Sequence, residues 1–338
     1  MKKKIIIFGA TGKVGNYVLD YALRFFKNSE YEVIASGRRK TDFFDRMGVK
    51  YYSVNLANKE EFAQLPQEGV HAVMLLSAQL PTKSDGQVPR RQFDANLLGT
   101  FNVLEYCREV HADRLLFCQT VFDIAGYFPE GKPLMPDLTP KFSYSDFHSF
   151  YVICKNATIE MMEHYYEKYG LKKFVFRLPT IYAYNAYPYM YNDEGEKVMR
   201  PLYVMINRAI NSEPLAIWGD PNYSKDMVHV YDFAQMLCKA AIVEGIDKGF
   251  YNVGTGIPVT LEEQIRTIVD VFSPKDHPSP ITYAPEKVSG GGCLMNVDNA
   301  KKELGYEPEY DVRKLFEDFK KEMETNRFLE LRSDLKYQ

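Results

Sequence analysis

Tyr151 and Lys155 stand four residues apart in the run Tyr151-Val152-Ile153-Cys154-Lys155. On a helix that spacing puts both side chains on one face. An ammonium held beside a buried phenol lowers its pKa from the usual ~10 by charge proximity. A phenol brought toward neutrality can give or take a proton while a hydride moves. Such pairs also arise by chance on exposed helices, so the chemistry depends on what surrounds this one.

A second constellation stands near the start. Residues 4–8 are a short β-branched run that reads as a buried strand. Gly9-Ala10-Thr11-Gly12-Lys13-Val14-Gly15 follows, and then Val14, Val18, Leu19, Ala22 and Phe25 recur at helical spacing. Strand, glycine-rich turn and helix in that order are what a dinucleotide fingerprint requires. Gly9 permits the tight turn, Gly12 lets backbone approach a pyrophosphate, and Gly15 allows close helix–strand packing. Thr11, Lys13 and Val14 complete this turn, where the helix N-terminus faces phosphate charge. The next strand, Tyr31–Ser36, runs into Gly37-Arg38-Arg39-Lys40 with no carboxylate. An NAD site usually carries an acidic residue there for the ribose 2′-hydroxyl. Arg38 or Arg39 would instead pair with a 2′-phosphate, which favours NADP over NAD. The alternative is a basic surface loop.

The elements between these two constellations alternate. Val49–Leu56 reads as a strand with Asn55 and Leu56 near the adenine, and Lys59–Leu65 as a short helix. Val70–Ala78 is apolar enough for the centre of a parallel sheet. Its end, Leu76-Ser77-Ala78, joins the cofactor set, and Gln79 the substrate set. A helix follows with Phe93, Leu97, Phe101 and Leu104 on one face and Asn96 within it. Arg114–Cys118 is a fifth strand. Ligands of open α/β sheets bind at the carboxyl ends of strands, which places Thr120 against substrate. A loop rich in Pro and Gly (126–140) leads to the Tyr151–Lys155 helix, and Phe174–Leu178 is a sixth strand. This alternation predicts an α/β fold: a Rossmann-type doubly wound parallel sheet in residues 1–180. A smaller C-terminal α/β portion, 181–338, would bind substrate, with segments free to interleave with the sheet. Its Tyr-rich stretch 182–200 reads either as a lid or as aromatic anchors of a surface loop. Helices are expected at 201–212, 230–243 and 261–272. Ser289–Gly292 reads as a mobile loop, and the charged helix 311–326 as exposed, with a fraying tail.

Composition excludes other classes. A net charge of −3 over 338 residues gives no reason to expect nucleic acid or an anionic membrane. No apolar run spans a bilayer, and the run from Ile5 stops at Gly9, short of a signal peptide. Five cysteines without a C-x-x-C pair read as reduced thiols of a cytoplasmic protein. Histidines and cysteines show no zinc spacing, and no G-x-S-x-G elbow occurs.

Further segments join the fingerprint and the Tyr–Lys pair. Asn96-Leu97-Leu98-Gly99-Thr100 is similar to an N-x-x-G-T helix, and Arg177-Leu178-Pro179-Thr180-Ile181-Tyr182 to R-x-P-x-x-Y-G. Lys225–Asp232 is similar to R-D-[FY]-[VI]-H-V-x-D; Tyr251–Gly256 and Lys302–Pro308 close the pattern. In this order the chain resembles an extended short-chain dehydrogenase/reductase of the NAD-dependent epimerase/dehydratase family. The resemblance implies Tyr151 as acid/base, Lys155 on the nicotinamide ribose, and Thr120 on the reacting oxygen. It adds Asn96, Pro179 and Ile181 to the cofactor set and Asn185 and Lys225 to the substrate set. It also implies hydride transfer at a secondary alcohol or ketone carbon of a nucleotide-sugar, and a homodimer formed through two helices.

Departures from the family pattern qualify this. Lys225 stands where relatives carry Arg, and loses the bidentate fork for phosphate. Gln119 replaces Ser, and Ala183 replaces Gly. Val121-Phe122 occupy the Asp-Glu positions of the 4,6-dehydratases and cannot exchange protons, which argues against that activity. Asp123 and His229 are expected to be structural, and His148 to lie in a surface turn. The leading reading is a nucleotide-sugar epimerase. The second is an NADPH-dependent reductase or dehydrogenase of a carbonyl substrate, toward which the Arg38–Arg39 pair shifts weight. The third is a non-enzymatic dinucleotide sensor.

Overall fold

The computed structural model describes residues 2–81, 88–192, 195–288 and 292–332. Seven strands form one parallel sheet: β1 (Lys3–Phe8), β2 (Tyr31–Gly37), β3 (Tyr51–Ser53), β4 (Val70–Leu75), β5 (Arg114–Thr120), β6 (Lys172–Leu178) and β7 (Lys248–Asn252). Their order across the sheet is β7-β6-β5-β4-β1-β2-β3. A parallel sheet is covered on both faces, so its strands are apolar throughout rather than alternating. Ile5 and Ile7 point into one core with Met74, Leu116 and Phe176. Ile6 and Phe8 point into the other with Val73, Leu75 and Phe117.

Helices fill both faces. They are α1 (Gly15–Phe25), α2 (Val88–Gln92), α3 (Gly99–Glu109), α4 (Ser149–Tyr169), α5 (Pro201–Ile210), α6 (Val230–Ala240), α7 (Leu261–Phe272), α8 (Asp298–Leu304) and α9 (Val312–Thr325). α1, α6 and α8 cover the first core, and α3 and α4 the second. A third core joins α5, α7 and α9 with the short parallel pair Leu215–Trp218 and Ile281–Ala284. Thus β7 and α6, from the second half of the chain, build part of the sheet layer. Among the described residues no helix is long and apolar enough to cross a membrane.

Several local expectations are corrected. The third strand is only Tyr51–Ser53, and β4 stops at Leu75 rather than Ala78. Residues 59–64 form a 3-10 helix. The helix expected through 93–104 is two pieces, a π-helical turn at 93–98 and the start of α3, with α2 running into them. One inserted residue shifts the helical phase. Within α3, Phe101 is exposed whereas Leu104 is buried, and Phe93 in the π-helical turn is exposed, so these residues do not share one buried face. The terminal helix is not simply exposed. Val312, Leu315, Phe316 and Phe319 recur on one face and are buried in the third core. The tail does not fray at once either, since residues 326–332 fold back onto the body. Ser289, Gly290 and Gly291 of the expected mobile loop lie outside the described residues.

Candidate active site

The turn from β1 into α1 is built by backbone. Gly9 takes a φ of +89°, and the amides of Gly9 and Ala10 donate to the Ser36 carbonyl at 2.8 and 3.0 Å. A Cβ on Gly15 would lie 2.0 Å from the Gly9 carbonyl oxygen, and one on Gly9 would lie 2.8 Å from the Ser77 amide. Only glycines let these three segments close together. The amides of Lys13 and Val14 have no protein partner among the described residues. Such amides at a helix start, with open backbone around them, suit the phosphates of a dinucleotide. Ser36 Oγ, buried at the end of β2, also has no partner among the described residues, a hydroxyl that a ligand oxygen can satisfy.

Neighbouring loops are pinned around the turn. Asn96 is buried; its Nδ2 donates to the Gln79 carbonyl at 2.9 Å and its Oδ1 accepts from the Gln79 amide at 2.8 Å. Its amide therefore holds the loop Leu76–Gln79 in place. Leu56 packs under Gly99, while exposed Asn55 caps its own turn by accepting from the Ala57 amide. The Tyr51 hydroxyl donates to the carbonyls of Gly37 and Arg39. Of the two arginines after β2, Arg39 donates to the Leu331 carbonyl. Arg38 is exposed, and its guanidinium has no hydrogen bond or ion pair among the described residues.

α4 carries Tyr151 and Lys155 inward against β5. Both are buried, and Lys155 Nζ donates to the Cys118 carbonyl at 2.8 Å. The ammonium sits 4.4 Å from the Phe117 ring centroid and 5.6 Å from that of Tyr151. The next rung is Gln119, which sequence reading treated only as a departure. Its Nε2 donates to Asn156 Oδ1 at 2.7 Å, and its Oε1 accepts from the Thr120 amide. These two rungs lock α4 to the strand end that carries Thr120. Thr120 is buried, and its Oγ1 accepts from the Phe122 amide at 3.3 Å, capping the 3-10 helix that follows.

The electrostatics correct one expectation. Lys155 does not lower the Tyr151 phenol here. Burial, with the Cys118 thiol second, pushes that phenol above its ordinary value. The cause is geometric, since the ammonium is committed to a carbonyl rather than to the phenol oxygen. Burial in turn lowers Lys155 to about 8. The Tyr151 hydroxyl makes no hydrogen bond among the described residues.

Other singled-out residues fall as follows. Pro179 and Ile181 follow β6, and Ile181 pairs with Val228. The Asn185 side chain closes a turn with Tyr187. Lys225 lies largely buried beneath Gly292, and burial lowers its pKa. Asp123 is structural, as expected. It forms a fully buried ion pair with Arg177 at 3.0 Å, and Arg177 also holds the Pro136 carbonyl at 3.0 Å and Asn252 Oδ1 at 3.3 Å. His229 Nδ1 caps α6, and its Nε2 lies 3.0 Å from Asp318, with Tyr310 stacked on the ring. His148 is not merely a surface turn, because its ring stacks on Phe122 at 3.9 Å. Among the described residues no group of three or more His, Cys, Asp or Glu could hold a metal.

A doubly wound sheet, a glycine turn and a buried Tyr–Lys pair beside a strand-end Thr define an extended short-chain dehydrogenase/reductase, an enzyme class built on a nicotinamide dinucleotide. The model of the NAD dependent epimerase/dehydratase family matches residues 5–254, and the chain belongs to that family. A putative UDP-glucose 4-epimerase of Methanocaldococcus jannaschii is 23% identical over 316 residues, covering 91% of this chain and 94% of that one. A UDP-glucuronate 4-epimerase of Thermodesulfobacterium geofontis is 22% identical, covering 91% and 92%. The crystal structure of UDP-glucose 4-epimerase with UDP-glucose from Thermotoga maritima superposes with a TM-score of 0.73 at 22% identity, over 95% of this chain and 99% of that one.

Proposed function

We propose that this enzyme interconverts stereoisomers of a nucleotide-sugar by hydride transfer at a secondary alcohol or ketone carbon. The observation that carries the reading is the locking of α4 onto β5, which ties Lys155 to the Cys118 carbonyl and Asn156 to Gln119, the residue before Thr120, with buried Tyr151 one turn before Lys155. The names of the UDP-sugar epimerases among its relatives support the substrate class. The dinucleotide, when bound, supplies the hydride chemistry. In the oxidising half-reaction Tyr151, as phenolate, would take the hydroxyl proton while the hydride leaves the carbon, and in the reducing half-reaction the phenol so formed would return that proton to the ketone oxygen; burial raises the phenol and opposes the first of these steps. Thr120 Oγ bonds the same oxygen. Lys155, steadied by the Cys118 carbonyl, holds the ribose. Lys225, with no ion pair among the described residues, offers a point charge to the nucleotide phosphate in the portion 181–338, with Gln79 and Asn185 as further contacts. Val121 and Phe122 leave the strand end without a second acid/base, which speaks against dehydration.

One observation favours a second reading. Arg38 stands exposed and without a partner among the described residues after β2, suited to a 2′-phosphate, and an NADP preference suits a reductase. The test is a panel of UDP-, GDP-, dTDP- and CDP-sugars with NAD, NADH, NADP or NADPH. Nicotinamide absorbance is followed, with chromatography of products. Conversion of one sugar to its stereoisomer without net cofactor change supports the epimerase; stoichiometric loss of NADPH replaces it with the reductase. In the same assay Tyr151→Phe is expected to lose turnover by about 100-fold or more while still binding cofactor. Full activity in that variant removes Tyr151 from the mechanism.

We further propose a homodimer. Phe150 and Ile153 on α4, with Phe93, Leu98 and Phe101 beside them, form an apolar face, each residue 36–43% exposed.

A further inference from the structure

We propose that residues 326–332 form a strap belonging to the dinucleotide site, with Arg332 a positioning residue for the phosphate-binding turn. The inference rests on the dinucleotide reading above. After α9 the chain turns at Asn326, in the left-handed region with φ 46°, and runs back toward α1. Arg327 ties the start of the strap to Glu322 at 2.6 Å, the Tyr231 hydroxyl at 2.9 Å and Asp20 at 3.3 Å. Phe328 is buried edge-on against Tyr17, centroids 5.0 Å apart. Glu330 pairs with Arg46 at 2.6 Å. Leu331 is 2% exposed, and its carbonyl accepts from Arg39. Arg332 is 6% exposed, and its Nη1 donates to the Thr11 carbonyl at 2.7 Å.

The strap thus touches both places where anionic groups of a dinucleotide are expected, the glycine turn and the arginines after β2. A peptide unit is planar, so fixing the Thr11 carbonyl also fixes the plane that carries the Gly12 amide. The unpartnered amides of Lys13 and Val14 follow directly. Arg332 also contributes charge. Burial, with the charges of Arg200 and then Arg332 adding to it, lowers the Lys13 ammonium to about 8.

The test uses the full chain with Arg332→Ala and Arg332→Lys, titrated with NADPH and NADH by nicotinamide fluorescence, with melting curves alongside. Arg332→Ala is expected to weaken the favoured dinucleotide about tenfold or more. Its melting temperature stays within about 2 °C of wild type. Arg332→Lys, which keeps a charge and a donor, recovers most of the affinity. Unchanged affinity in Arg332→Ala, or a melting loss equal to the binding loss without rescue by Lys, overturns the proposal. Wild type binding neither dinucleotide overturns the functional reading itself, and the strap's role with it. Wild type binding normally while Arg332→Ala binds equally well overturns only the strap.

Discussion

A lysine ammonium 2% exposed, with one carbonyl oxygen at 2.8 Å as its hydrogen-bond partner among the described residues, is held at a disadvantage relative to water. Lys155 therefore titrates at about 8 in the folded chain against 10.5 in the open one. Below about pH 8 it is charged in both states, and its burial costs the fold in full. Between about 8 and 10.5 the unfolded chain binds the extra proton, so stability rises with pH through that window. The shift corresponds to roughly 3 kcal/mol. Urea unfolding of cofactor-free wild type and Lys155→Met at pH 7 and pH 10 should show wild type gaining that much relative to the variant. An identical pH dependence would take Lys155 out of this account. Its helical spacing from Tyr151 could be read directly, because it is local. The destination of its ammonium could not, because the accepting carbonyl lies 37 residues away on another element.

At the scale of elements, the Arg177–Asp123 pair joins β6 to the 3-10 helix after β5, to the 134–138 loop and to Asn252 on β7. Removing one partner leaves a charge buried alone. Arg177→Leu is expected to destabilise by about 3–5 kcal/mol, and Asp123→Leu added to it to restore part of that. Equilibrium denaturation of the three variants, as a double-mutant cycle, measures both. A coupling near zero would show that the pair does not hold these elements together. The strands themselves were legible, because a sheet buried on both faces writes continuous apolar runs such as Ile5-Ile6-Ile7. The π-helical turn at 93–98 was not, since nothing in Phe93-Asp94-Ala95-Asn96-Leu97-Leu98 marks an extra residue per turn. The buried face of α9 was written at helical spacing in Val312, Leu315, Phe316 and Phe319, but surrounding charge obscured it. Phe328 and Leu331, two apolar anchors in a charged tail, were too sparse to announce the strap.

At the scale of the molecule, the proposed homodimer rests on the exposed apolar face of α3 and α4. Wild type should sediment at twice the 39.1 kDa chain mass, and Phe101→Glu with Ile153→Glu at the chain mass itself. A wild-type monomer at micromolar concentration would leave that face without its second copy. The strap has a consequence in time as well as in space. Thr11 and Arg332 are 321 residues apart, so the turn waits for a side chain synthesised long after it. The seventh strand likewise arrives about 70 residues after the sixth, some seconds later at ribosomal speed. A nascent chain can collapse around β1–β6 long before its dinucleotide turn is held in place. On the proposed strap, the glycine turn is made early and held in place late.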